Sequence, residues 1–307
     1  MPRFLRFLVL PLVISTCGAP HAFASTSYLE HWWKDSSGET QHFGVTVDDA
    51  RMRQAMTNSR DMLGFEQIRS KVMLQAQTMA LQISTPTAKL KLRSYGQTYE
   101  LSSTYQEGHM GEATALSNRV RNYIDGAYDD LGDSTYYTYD KDRRELVINY
   151  EDIILDFRDV IEATHQYFQA RDTGKTHSAM INDRLNFLQS IRYNDLKSDP
   201  FGMYTPIRML VEKSGDCESK QTYMAGMLKM LYPNRDVYLV LLPDKEHIVA
   251  AIEMPEAPDA LTYYKDGRRY LIVDATGPSL VNVADTKILR EKWDFDFGKQ
   301  IWYPIHL

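Results

Sequence analysis

The stretch SGDCESKQTYMAGMLKML, residues 214–231, decides how the chain is read. Gly215-Asp216-Cys217 ends a loop and opens a helix. Tyr223, Met224, Met227, Leu228 and Leu231 then recur at helical spacing as one apolar stripe, the face a helix turns to a core. At the mouth of that helix a thiol meets unsatisfied backbone N–H groups and the positive end of the helix dipole, and both favour thiolate. Asp216 and Glu218 oppose them, because nearby negative charge raises a thiol pKa. A thiol used as a nucleophile there needs a basic partner, most often histidine.

Working outward, three β-rich runs follow at Val237–Leu242, Ile248–Met254 and Tyr270–Val273. Their continuous apolar character suits a sheet covered on at least one face by helices. Asp266-Gly267, between Thr262–Lys265 and Arg268–Val273, is a two-residue hairpin signal. His247 opens one run and Asp274 closes another. If those runs are antiparallel neighbours, the start of one lies beside the end of the other, and base and carboxylate share one edge. A carboxylate there would hold the imidazole in the right tautomer. Upstream, a helix is expected over Ser178–Arg192, with Ile181, Leu185 and Leu188 at helical spacing. Helices first and antiparallel strands after them predict an α+β domain.

These residues carry a resemblance. GDCES at a helix start, EHIVAAIE on a following strand and YLIVDATGP after a hairpin resemble the Cys-His-Asp core of transglutaminase-like proteins, a papain-like fold that includes bacterial cysteine peptidases. The resemblance covers roughly residues 176–280. It implies a C-terminal core of helices packed on an antiparallel sheet, with Cys217 as nucleophile, His247 as general base and acid, and Asp274 as the orienting residue. It also implies a polar oxyanion donor on the preceding helix, for which FLQSIRYN offers Gln189. Bacterial peptidases of this type tend to read GDCEDYA, with Asn after the triad acid, whereas this chain has GDCESKQ and DATGP. Some relatives bind calcium through acids beside the nucleophile. Asp216 and Glu218 are thus read either as a solvated acidic pair, with no cofactor, or as calcium ligands.

The first residues speak to compartment. Arg3 and Arg6 precede the apolar run Phe7–Ile14, and Ala22-Phe23-Ala24 places small residues at −3 and −1 of a cut before Ser25. That pattern predicts a bacterial signal peptide over residues 1–24 and a periplasmic protein, since the run is too short to span a bilayer. Cys17 would leave with the leader, so Cys217 stays alone of the two cysteines. In an oxidising compartment a lone thiol is a liability unless it is buried or used. Loss of Arg3 and Arg6 takes the formal net charge from −6 to −8. An acidic chain argues against a nucleic-acid partner. The expected partner is a protein or peptide substrate in the cell envelope, and no transmembrane segment is expected.

Residues 25–170 read as an N-terminal α+β region and 171–307 as the catalytic domain, divided at the polar, glycine-containing stretch Arg171–Lys175. In the first part, residues 25–46 read as an extended lead-in. A helical pattern runs from Val47 to about Gln82, interrupted at Gly64. Hairpins are expected over Lys89–Tyr105 and Tyr136–Tyr150, and helices over 112–131 and Asp152–Gln169. Neither a zinc-type His-Glu-x-x-His or paired-cysteine motif nor a glycine-rich phosphate loop is present. The whole predicts a thiol hydrolase acting on a peptide, isopeptide or other amide bond. The alternatives are protein cross-linking by amine transfer and a non-catalytic envelope-binding domain.

Overall fold

The computed structural model describes residues 25–56, 65–95, 98–132, 136–141, 143, 145–196, 199, 201–254, 260–277, 282–283 and 299–307. The leader read over residues 1–24 and the interruption at Gly64 lie outside them. The architecture is mixed α+β, its sheets almost entirely antiparallel. The lead-in of residues 25–46 is in fact a hairpin of β1 (Thr26–Lys34) and β2 (Thr40–Asp48). Its turn is organised by Asp35, whose Oδ1 accepts the N–H groups of Ser37 and Glu39 at 2.9 and 3.0 Å. Then come α1 (Asp49–Met56), α2 (Phe65–Ile83), the hairpin β3 (Ala88–Tyr95) and β4 (Thr98–Tyr105), and α3 (Met110–Gly132). A short hairpin of β5 (Tyr137–Asp140) and β6 (Glu145–Ile148) leads to α4 (Tyr150–Asp156) and α5 (Arg158–Gln169). The sequence pattern suggested one helix where α4 and α5 stand. The break falls at Phe157, whose buried ring lies near Tyr136 and under the Arg51 guanidinium, 4.5 Å from the ring centroid. Tertiary packing here overrides a continuous helical pattern.

The C-terminal part holds α6 (His177–Ser190), β7 (Arg192–Tyr193), α7 (Pro206–Glu212), β8 (Ser214–Gly215) and α8 (Cys217–Leu231). Thr205 caps α7 and Pro206 opens it, the position where a missing N–H is harmless. β7 and β8 pair in parallel, which sets Tyr193 beside Gly215. The remaining strands are β9 (Val237–Leu242), β10 (His247–Glu253), β11 (Thr262–Lys265), β12 (Arg268–Val273) and β13 (Ile301–Ile305). They form one five-stranded sheet in the order β11-β12-β10-β9-β13, antiparallel at every pairing. Asp266 and Gly267 sit at φ 51° and 78°, the two positive values a primed hairpin turn needs. Edge strand β13 carries Pro304, which a sheet tolerates only at its margin.

α8 is the axis of the core: Cys217 and every residue from Ser219 to Leu228 are buried. Central strand β10 is buried on both faces. Ile248, Ala250 and Ile252 join the main core, while Val249 and Ala251 join a second cluster with Val240 and Ile272. Helices α4 and α5 come so close to α8 that a Cβ on Gly226 would meet Ile154 and Ile161 at 3.1 Å. One apolar cluster runs from Trp33 to Ile305. The polar stretch Arg171–Lys175 joins α5 to α6, and both helices pack on that same cluster.

Candidate active site

The start of α8 is fixed by its cap. Asp216 Oδ1 accepts the Ser219 N–H at 2.9 Å and the Ser219 hydroxyl, so Cys217 becomes the first helical residue. Gly215 lets β8 pass beneath: a Cβ there would stand 3.0 Å from the Met209 side chain. The Cys217 residue is 8% exposed.

The neighbouring strand supplies the rest. Pairing of β10 with β12 ends at Ala250↔Val273, whereas pairing with β9 continues to His247↔Leu242. β12 has thus peeled away where β10 begins, and α8 serves the exposed strand edge instead. The Ala250 N–H donates to Gln221 Oε1 at 3.1 Å, and the Ile248 N–H lies near enough to the Cys217 thiol to favour its ionised form. His247, adjacent to Ile248, and Asp274, directly after β12, are buried. His247 Nε2 lies 3.5 Å from Asp274 Oδ2, within range of an ion pair once the imidazole is protonated. His247 and Asp274 therefore meet where β10 begins, and Cys217 and His247 line the same cavity.

Gln189 is buried, and its Nε2 donates to the Asp274 main-chain carbonyl at 2.8 Å. Gln189 braces Asp274 from behind. Gly277, at φ 69°, makes room for that brace, since a Cβ would stand 2.9 Å from the Gln189 carbonyl. Sequence reasoning missed two further residues of this support. Lys220, fully buried, donates to the carbonyls of Ile191 and Thr276. Gln221, also fully buried, donates to Asp274 Oδ1 at 3.0 Å. The available signal was position: Gln221 stands one helical turn after Cys217, on the same face.

Electrostatics at the site oppose a resting thiolate. Burial, then the charges of Glu218 and Asp216, push the Cys217 thiol up to about 12, against the lowering pull of the Ile248 and Glu218 N–H groups. Burial also raises Asp216. Burial, then the Asp216 charge, raises the Glu218 carboxyl to about 8. At neutral pH the two acids therefore hold a proton between them. Ligand atoms of Asp216, Cys217 and Glu218 lie within 4.8 Å of one another. A cavity of about 420 Å³ opens over the sulfur, walled by Tyr193, Cys217, Glu218, Glu246 and His247 among others. Burial, then the charge Cys217 carries once ionised, pushes the Tyr193 hydroxyl up to about 12.

Fold and site define a mixed α+β protein in which Cys217 and His247 line one cavity and His247 faces a buried Asp274. The chain matches no family model and no curated protein sequence. None of the described helices is long and apolar enough to cross a membrane.

Proposed function

We propose that the chain is an exported thiol hydrolase of transglutaminase-like type, cleaving a peptide, isopeptide or other amide bond in the cell envelope. The observation that carries this reading is the shared edge of β10. Cys217 and His247 line one cavity there, and His247 faces Asp274 at 3.5 Å. A nucleophile-bearing helix packed on a five-stranded antiparallel sheet supports the transglutaminase-like comparison. The leader sequence supports export.

In the reaction, Cys217 Sγ attacks the amide carbonyl while His247 takes the thiol proton. The transfer accompanies the attack, because the thiol is held near 12. Negative charge on the carbonyl oxygen needs preorganised donors. The Cys217 N–H, together with the hydroxyl of Tyr193 in the cavity wall, supplies them. His247 then protonates the leaving amine as the C–N bond breaks, giving a thioester. Water, deprotonated by His247, attacks that thioester, the C–S bond breaks, the acid leaves and the thiol regains its proton. Asp274 stabilises the imidazolium at both stages.

Carboxamidomethylation of Cys217 with iodoacetamide between pH 5 and 9 tests the reading. A thiol at about 12, against an ordinary 9.0, should react about 1,000-fold more slowly than a free cysteine if nothing assists it. The proposed pair predicts a rate at or above that of free cysteine, slowing at least tenfold in His247→Ala. A wild-type thiol at the unassisted rate overturns the hydrolase and favours a non-catalytic binding role.

A further inference from the structure

We propose that Gln221 is a positioning residue that sets the register of α8 against β10 and turns the Asp274 carboxylate toward His247. This rests on the Cys-His-Asp reading above. Four residues of helix advance about 6 Å and two of strand about 6.7 Å. Cys217 and Gln221 on α8 therefore match Ile248 and Ala250 on β10 as two rungs of one ladder. The second rung is the Ala250 N–H on Gln221 Oε1 at 3.1 Å, and at the first the Ile248 N–H stands near enough to the thiol to favour its ionised form. A shift of the helix along the strand breaks the second rung and carries the sulfur away from the first.

The other end of the same amide works on the third residue. Gln221 Nε2 donates to Asp274 Oδ1 at 3.0 Å, and the Thr276 N–H donates to that oxygen at 2.9 Å. With Oδ1 engaged twice, Oδ2 is the oxygen that meets His247 Nε2. One neutral side chain thus links the helix of the nucleophile, the strand of the base and the orienting carboxylate. An amide suits this because it accepts at one end and donates at the other without adding charge. The surroundings make the choice consequential. Gln221 is fully buried, so an apolar substitute leaves the Ala250 N–H and an Asp274 lone pair unsatisfied.

The test compares Cys217 carboxamidomethylation from pH 5 to 9 in wild type, Gln221→Met and Gln221→Glu, with thermal melts alongside. Gln221→Met should react about 10- to 100-fold more slowly throughout, as losses of such supporting groups do. Gln221→Glu keeps the shape, and two buried carboxyls about 3 Å apart cannot both ionise. Its protonated form makes the same hydrogen bond, so its rate should match wild type at the acid end and diverge as pH rises. A merely structural role lowers both melting temperatures and leaves the pH profile unchanged, which overturns the proposal. So does a Gln221→Glu profile that superimposes on wild type, the decisive comparison if Gln221→Met fails to fold. An inert wild-type thiol removes the hydrolase reading and this inference together. A reactive wild type with unaffected variants removes this inference alone.

Discussion

Glu218 sits one residue from the sulfur and carries a carboxyl raised to about 8, so its titration acts on both stability and reactivity. The sign follows from where the proton is held. Between the ordinary 4.5 and about 8 the folded chain keeps a proton that the unfolded chain has released, so stability is greatest at the acid end and declines as pH rises toward 8. Above that, a second full negative charge stands beside the thiol. Glu218→Gln removes the penalty while keeping a hydrogen-bond donor for Asp216. At pH 8.5 it should melt higher than wild type by at least ~1 kcal/mol, about 2–4 °C, with the gap closing toward pH 4.5. Its Cys217 should also alkylate faster than wild type above pH 8 and no faster below pH 6. A variant that melts lower than wild type at pH 8.5 would place the Glu218 proton elsewhere.

At the scale of elements, what could be read from sequence and what could not divide along a physical line. Strands β9, β10 and β12 were legible because each is a short apolar run bounded by turn chemistry, and Asp266-Gly267 fixed one turn outright. The common edge of His247 and Asp274 followed from antiparallel pairing alone. Gln221 was hidden, since its role exists only once α8 lies beside an edge that β12 has abandoned. The bond from Gln189 to the Asp274 carbonyl was likewise hidden, because helical spacing says nothing about which distant carbonyl an amide meets. The β1–β2 hairpin was missed for want of a strong turn dipeptide, and the α4–α5 break because Phe157 is held by long-range packing. Gly277 shows how such distant contacts act through a loop. It combines φ 69° with a close approach to the Gln189 carbonyl. Gly277→Ala should destabilise by about 1–2 kcal/mol from the left-handed backbone alone, roughly 2–8 °C in Tm. It should also slow Cys217 alkylation, because the loop it disturbs carries Asp274. An unchanged melting temperature and rate would mean that the loop bears no load on the site.

Across the whole molecule, the helices that precede the polar turn at Arg171–Lys175 matter to everything after it. Ile154 of α4 and Ile161 of α5 press on Gly226, in the middle of the helix that starts with Cys217. The Tyr223 hydroxyl, fully buried on that helix, finds its partner in Thr164 of α5 at 2.5 Å. On the other side, His31 of β1 bonds to Ser190 at the end of α6 at 2.7 Å and packs edge-on against Phe187. Residues 171–307 alone would expose the apolar face of α8 and strand a buried tyrosine hydroxyl. Losing the contacts of two or three large side chains costs about 2–5 kcal/mol each, against a total stability of about 5–15 kcal/mol. A fragment of residues 171–307 should therefore show no cooperative thermal transition by circular dichroism and should bind a hydrophobic dye, while residues 25–307 melt in one step. The site would fail with it, because the register of α8 on β10 is held from both sides, by the sheet and by α4 and α5. A fragment that folds cooperatively and retains a reactive Cys217 would show instead that the sheet alone positions the nucleophile.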